Sequence, residues 1–100
     1  MKVNVHAVNF NVDKKLVDFI EVRMHKLEKF YDKIVASDVF LKVEQTSEKE
    51  NKIVEIKLIV PGDDFVVKKT CRTFEEGVDL SVEALERSLV KRKEKLRAHA

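Results

Sequence analysis

One hundred residues suffice for one ordinary hydrophobic core and are too few for two. With 44% hydrophobic and 38% charged residues, 2 Gly and 1 Pro, the chain is neither collagen-like, low-complexity nor intrinsically disordered. A net charge of +2, from 20 basic and 18 acidic residues, gives by itself no warrant for nucleic-acid binding.

Val3, Val5 and Ala7 alternate with Lys2, Asn4 and His6, the two-residue period of a half-buried strand over residues 2–8. Asp13 stands at a helix N-cap position, and Val12 and Val17 have the spacing of a hydrophobic staple. A helix is predicted from Lys14 to about Tyr31. At 100° per residue, Ile20, Arg23, Leu27, Phe30, Tyr31 and Phe19 lie within about 60° of Leu16, a core stripe with one basic interruption. Val39, Leu41 and Val43 mark a second strand, running to Glu44, and residues 46–51 read as a polar connection. A third strand buries Val54, Ile56, Leu58 and Val60. Pro61-Gly62 then forms a tight turn, Pro fixing φ at the first central position and Gly accepting φ > 0 at the second. A fourth strand over Phe65 to Thr70 returns antiparallel. Thr73-Phe74-Glu75-Glu76 fits a capping box, so the second helix starts near Phe74. Its buried stripe is Val78, Val82, Leu85, Leu89 and Leu96. Arg92 interrupts that stripe, which implies that the last two turns project beyond the sheet.

The order β-α-β-β-β-α specifies an α+β fold. A right-handed crossover through the first helix lays strand 1 parallel to strand 2, strands 2–4 form a meander, and both helices cover one face of a four-stranded mixed sheet. The open face then presents Val8, Phe40, Ile53, Ile59 and Val66 among Lys42, Glu44, Glu55, Lys57 and Lys68.

Residues able to carry catalysis are scarce. Cys71 precedes the second helix, whose N-terminal field favours a thiolate, but no His or Asn is placed to activate it, and a structural thiol is the better reading. The lone cysteine also excludes an internal disulfide. His6, His25 and His99 have no chelating spacing, so no metal or other cofactor is expected. Asp63-Asp64 beside Pro-Gly are turn formers. No apolar run reaches the roughly 18 residues of a membrane span, and Met1-Lys2-Val3-Asn4-Val5 lacks a signal peptide's apolar stretch. A cytoplasmic, non-enzymatic protein without a small-molecule substrate or membrane partner is expected.

Charge placement is more informative. Residues 1–83 carry 14 basic and 16 acidic side chains, whereas residues 84–100 carry 6 basic (Arg87, Lys91, Arg92, Lys93, Lys95, Arg97) and 2 acidic. On the first helix Lys15, Lys26, Lys29 and Lys33 form a stripe about 80 to 140° to one side of Leu16. On the second, Arg87, Lys91 and Lys95 recur every four residues, with Lys93 and Arg97 on the opposite flank. Such rows of cations can follow a line of phosphates, each contact releasing counterions without reading sequence. A solvated helix face explains the same pattern. Because the two helices run parallel, the basic stripes need not merge.

Three segments resemble one family along nearly the whole chain: Leu16-x-x-Phe19-Ile20-x-x-Arg23-Met24-x-Lys26-Leu27-Glu28-Lys29-Phe30-Tyr31-Asp32-Lys33-Ile34, then Val39-Phe40-Leu41-Lys42-Val43-Glu44, then Val78-Asp79-x-x-Val82-x-x-Leu85-Glu86-Arg87-x-Leu89-x-Lys91-x-Lys93-x-Lys95-Leu96. Together they resemble the ribosome hibernation-promoting factor and ribosome-associated inhibitor (sigma-54 modulation) family. The resemblance implies a fold related to double-stranded-RNA-binding domains. It also implies a translation inhibitor that occupies the mRNA and tRNA path of the small ribosomal subunit, on 30S or 70S particles, in stationary phase or stress. Arg23, Lys26, Lys29, Arg87, Lys91, Lys93 and Lys95 would then contact 16S ribosomal RNA. Ala84-Leu85 and Arg87-Ser88-Leu89 replace the family's frequent Lys-Leu and Arg-Gln-Leu, removing one cation and one amide donor. Ending at Ala100, the chain resembles the short form, a single domain without the C-terminal dimerisation domain of long forms, so that pairing ribosomes would need a second hibernation factor. The rival reading is a protein-interaction or homodimerisation module using Phe40, Ile53 and Ile59 on the open face.

Overall fold

The computed structural model describes residues 1–98, with side chains described through Lys95. Its elements are β1 (Lys2–Val8), α1 (Lys14–His25), a 3-10 turn (Lys26–Lys29), β2 (Ala36–Val43), β3 (Lys52–Val60), β4 (Asp63–Cys71) and α2 (Phe74–Ala98). The sheet order is β1-β2-β3-β4, with β1 parallel to β2 and the other neighbours antiparallel. This is the expected β-α-β-β-β-α arrangement. The strands begin earlier than alternation alone suggests, because pairing extends over Ala36–Asp38 and Asp63–Asp64, where the apolar pattern fades. Leu96, Arg97 and His99, on which the sequence also placed expectations, lie outside the described side chains.

Both helix starts are built as expected. The Leu16 N–H donates to Asp13 Oδ1 at 3.0 Å, and the Glu76 N–H donates to Thr73 Oγ1 at 3.1 Å. These side chains satisfy donors that the first helical turn leaves free. The return bond from the Glu76 side chain, which would complete the capping box, is absent among the described residues. Gly62 has φ 79°, the left-handed value that the second central position of the Pro61-Gly62 turn demands.

The first helix is shorter than predicted. Its α geometry ends at His25, and the chain tightens into the 3-10 turn, with the Phe30 N–H donating to the Leu27 carbonyl at 3.0 Å. At three residues per turn, Leu27 and Phe30 fall on one side. Leu27 is fully buried and Phe30 half-buried against the core. The core line of α1 also sits farther round than a stripe centred on Leu16. Ile20, Met24 and Leu27 are fully buried while Leu16 is half-buried, which puts Arg23 at the margin rather than in the middle.

One core joins the layers. Val39 and Leu41 of β2 and Val54, Ile56, Leu58 and Val60 of β3 meet Ile20, Met24 and Leu27 from one helix and Val78, Val82, Leu85 and Leu89 from the other. Small residues let α2 approach: Gly77 and Ser81 are buried on its inner side. A Cβ built on Gly77 would lie 2.7 Å from Val54 Cγ2. Val54 is itself fully buried in the same core.

Gly77→Ala is therefore expected to destabilise the fold. The overpacking cost, about 1–3 kcal/mol, outweighs the propensity gain, which for a glycine in the first turn is below the about 1 kcal/mol of a helix interior. Thermal and urea melts should show a lower midpoint, and adding Val54→Ala should cost less than the two single changes together. A midpoint at or above that of the parent would contradict this account of the helix–sheet packing.

Candidate nucleic-acid interface

The cationic residues singled out above divide into two structural classes. Lys26, Lys29, Arg87, Lys91, Lys93 and Lys95 are exposed, and among the described residues none of them joins an ion pair. Arg23 differs. Its Nε lies 2.8 Å from Asp79 Oδ1 on α2, and its guanidinium rests 4.8 Å from the centroid of the Phe19 ring. The Nε–H is not aimed at the carboxylate as an aligned hydrogen bond, so this contact is an ion pair joining the helices, its charge already shared with Asp79.

Arg92 is also half-buried, at the point where the sequence showed a charged interruption of the core stripe. Nη1 donates to Asp63 Oδ2 at 3.1 Å and Nη2 to the Pro61 carbonyl at 2.9 Å. The guanidinium carbon stands 5.9 Å from the centroid of the Tyr31 ring. An arginine fork serves where a lysine would not, because it holds two acceptors in one plane and still stacks on an aromatic face. The only sequence signal was a basic residue at a core-facing position beside a turn rich in acceptors. Beyond it Lys93, Glu94 and Lys95 are exposed. At 25 residues α2 is about 37 Å long, against about 30 Å for the nine-residue β3, in keeping with the expected projection.

The basic stripes meet, although parallel helices do not require it. Lys29 and Lys93 border one shallow recess with Glu28, Tyr31 and Asp32, and Phe30 forms its wall. On the other side of Phe30, Arg87 and Lys91 line a second recess with Glu86 and Val90. Lys91 continues into a third, lined also by Lys95, Ser88, Phe65 and the paired Asp63 and Arg92. The 3-10 turn brings this about by carrying Lys29 off the end of α1 toward α2. Ser88 is not a free donor here, because its hydroxyl bonds back to the Ala84 carbonyl at 3.1 Å. Such a surface can neutralise a run of phosphates, and nothing in it points to base-specific reading.

Other candidates resolve differently. Cys71 is buried, and its thiol is pushed up by desolvation first and then by the charges of Glu76 and Glu50, the opposite of an activated nucleophile. Among the described residues no group of three His, Cys, Asp or Glu is placed to hold a metal ion, and no helix is long and apolar enough to cross a membrane. On the open sheet face Phe40 stacks on His6 at 4.8 Å between centroids. Asp38 accepts from Asn4 at 3.2 Å and lies 3.5 Å from His6 Nε2. Ile53 and Ile59 are half-buried there, so the apolar area offered by the rival interaction reading is broken up by polar contacts.

Comparison with known proteins adds an independent finding. A family model described as sigma 54 modulation protein / S30EA ribosomal protein matches residues 3–97. The ribosome hibernation promoting factor of Azotobacter vinelandii is 30% identical over 95 residues, covering 95% of this chain and 85% of that one. The protein of the same name from Klebsiella oxytoca is 28% identical over 99% of this chain and the whole of that one. A solved ribosomal subunit interface protein from Coxiella burnetii superposes with a TM-score of 0.81 at 22% identity, over 93% of this chain and 98% of that one, a likeness of fold.

At the edge of the cationic surface, the Glu28 carboxyl is held below its ordinary value of 4.5, first by its hydrogen bond with His25 and further by the nearby N-terminal ammonium. The His25 Nδ1 lies 2.6 Å from Glu28 Oε1. A depressed carboxylate value means that the pair stabilises the turn above the ordinary glutamate range and ceases to do so as pH falls through the lowered value. In an NMR titration Glu28 is expected to titrate below the ordinary glutamate value and to move up in His25→Ala. An unchanged Glu28 value in that variant would remove His25 as the cause.

Proposed function

From the premise that this chain belongs to the sigma 54 modulation protein / S30EA ribosomal protein family, we propose that it is a cytoplasmic, non-enzymatic hibernation factor that binds the ribosome and silences it. It acts by occupancy: lodged in the mRNA and tRNA path of the small subunit, it excludes both and protects the idle particle. Lys26, Lys29, Arg87, Lys91, Lys93 and Lys95 contact 16S ribosomal RNA phosphates. Arg23 contributes less, since Asp79 offsets its charge. Its relatives' names, ribosome hibernation promoting factors, support the ribosomal role. The observation that carries the interface is the contrast in pairing: these six cations have no carboxylate partner among the described residues, while Arg23 and Arg92 are engaged within the fold. Unpaired cations around shallow recesses are what a phosphate backbone needs, because each contact gains entropy from released counterions.

Replacing Arg87, Lys91 and Lys95 together with Ala is expected to weaken binding to 30S and 70S particles by at least about tenfold near physiological salt. The slope of log affinity against log salt should flatten by about one for each phosphate no longer neutralised. Cys71→Ser should change neither quantity. Co-sedimentation across a salt series measures both, and unaltered binding by the triple variant would rule out this interface.

A further inference from the structure

We infer that Arg92 is a positioning residue for ribosome binding: its clamp on the β3–β4 turn and on Tyr31 holds the cations of the last turns of α2 in register with those of the 3-10 turn, without touching RNA itself. The inference rests on the proposed RNA contacts of Lys91, Lys93 and Lys95.

Three observations carry it. First, both terminal nitrogens of the guanidinium are engaged within the fold. Two η nitrogens bond Asp63 and the Pro61 carbonyl, Tyr31 lies alongside, and Nε is shut away from solvent without an acceptor. The side chain is 22% exposed, whereas Lys91 and Lys93 on either side of it are exposed. Second, the turn that receives it is stiff. Pro61 fixes one dihedral, Gly62 sits at φ 79°, and Asp63 Oδ1 accepts the Asp64 N–H at 2.8 Å, leaving Oδ2 for the arginine. Third, the clamp lies where it has most leverage. Leu89 is the last fully buried residue of α2 among those described, and Arg92 is the last described side chain that ties the helix to the body. Without it, the turn bearing Lys91, Lys93 and Lys95 would be free to fray and tilt, as helix ends without tertiary contacts do. The same guanidinium reaches Tyr31, two residues past Lys29, and so couples the two cationic segments.

Asp63→Asn gives the sharpest test. The amide oxygen can keep the Asp64 N–H, which turns the NH2 group toward Arg92, donor against donor. The substitution also removes a negative charge beside the cationic surface, so electrostatics alone would tighten RNA binding. Positioning demands the reverse. Affinity of the intact protein for purified 30S subunits is expected to fall about fivefold, with the salt slope unchanged because every cation that meets a phosphate is still present. Arg92→Met should do the same, and Asp63→Asn should cause no further loss on top of it. Circular dichroism melts verify folding, and Arg92→Lys, which keeps the charge but not the fork, replaces Arg92→Met if that variant unfolds. Binding by Asp63→Asn as tight as the parent or tighter overturns the inference, and so does a slope lowered by about one in Arg92→Met, the mark of a direct phosphate contact. Lys91→Ala, measured in parallel, separates RNA contact from positioning. If it alters neither affinity nor slope, the contact reading itself fails, whereas a clamp variant without effect beside a responsive Lys91→Ala overturns the positioning role alone.

Discussion

Everything in this molecule depends on two helices covering the same face of a four-stranded sheet. The alternating residues of β2 and β3, Val39, Leu41, Val54, Ile56, Leu58 and Val60, are buried under Ile20, Met24 and Leu27 on one side and Val78, Val82, Leu85 and Leu89 on the other. Burying one such aliphatic side chain is worth roughly 1.5–3 kcal/mol, so no single polar contact on the surface competes with this layer for control of the architecture. The layer also dictates where charge can go. With the inner faces of both helices committed, cations and acids are confined to their crowns and flanks, and the two arginines at the margin of the core are paired with carboxylates.

That margin is where the arginines differ from the lysines. Arg23 and Arg92 lie at the edges of their helices' buried stripes, each half-buried, each facing one carboxylate and one aromatic ring. A planar guanidinium tolerates such a place because it can pair sideways and stack at once, whereas an ammonium would be drawn toward full hydration. Lys26, Lys29, Lys91, Lys93 and Lys95, on the outer surface, keep their charge in water. Among the described arginines, Arg23 and Arg92 join parts of the fold, whereas Arg72 and Arg87, like these lysines, present their charge outward.

Much of the fold was legible in the sequence because its signals are local. Alternation in Val3-Val5-Ala7 and Val54-Ile56-Leu58-Val60, the cap at Asp13, the Thr73 N-cap and the Pro61-Gly62 turn each depend on neighbours a few residues away. The features that escaped depend on tertiary contacts. Nothing near Gly77 in sequence announces Val54 Cγ2, and nothing near Arg92 announces Asp63, which lies 29 positions earlier. Met24 was passed over because the helical wheel was centred on Leu16, while packing centres it on Ile20, Met24 and Leu27. The 3-10 turn after His25 was invisible for a related reason: α and 3-10 winding share the same residues and differ in what Leu27 and Phe30 pack against. As for the cationic surface, its members were recognisable from spacing, but their convergence around Phe30 was not, since helix periodicity carries no information about the neighbouring helix.

The pairing of cations with internal acids has a consequence for association. Ordering a long lysine against a phosphate costs about 0.5–1.5 kcal/mol of side-chain freedom, and the cost grows if the backbone carrying it must also be immobilised. Lys91, Lys93 and Lys95 lie within little more than one turn near the end of a 25-residue helix, where backbone fraying would otherwise add to that cost. A helix end fixed by side-chain bonds to a stiff turn leaves only the lysine side chains to be ordered on binding. The acidic residue that does the fixing, Asp63, repels phosphate in isolation, yet its charge is offset by Arg92. An acid within a basic surface therefore need not oppose RNA binding, provided that its partner is one of the protein's own cations and that the pair holds the others in place.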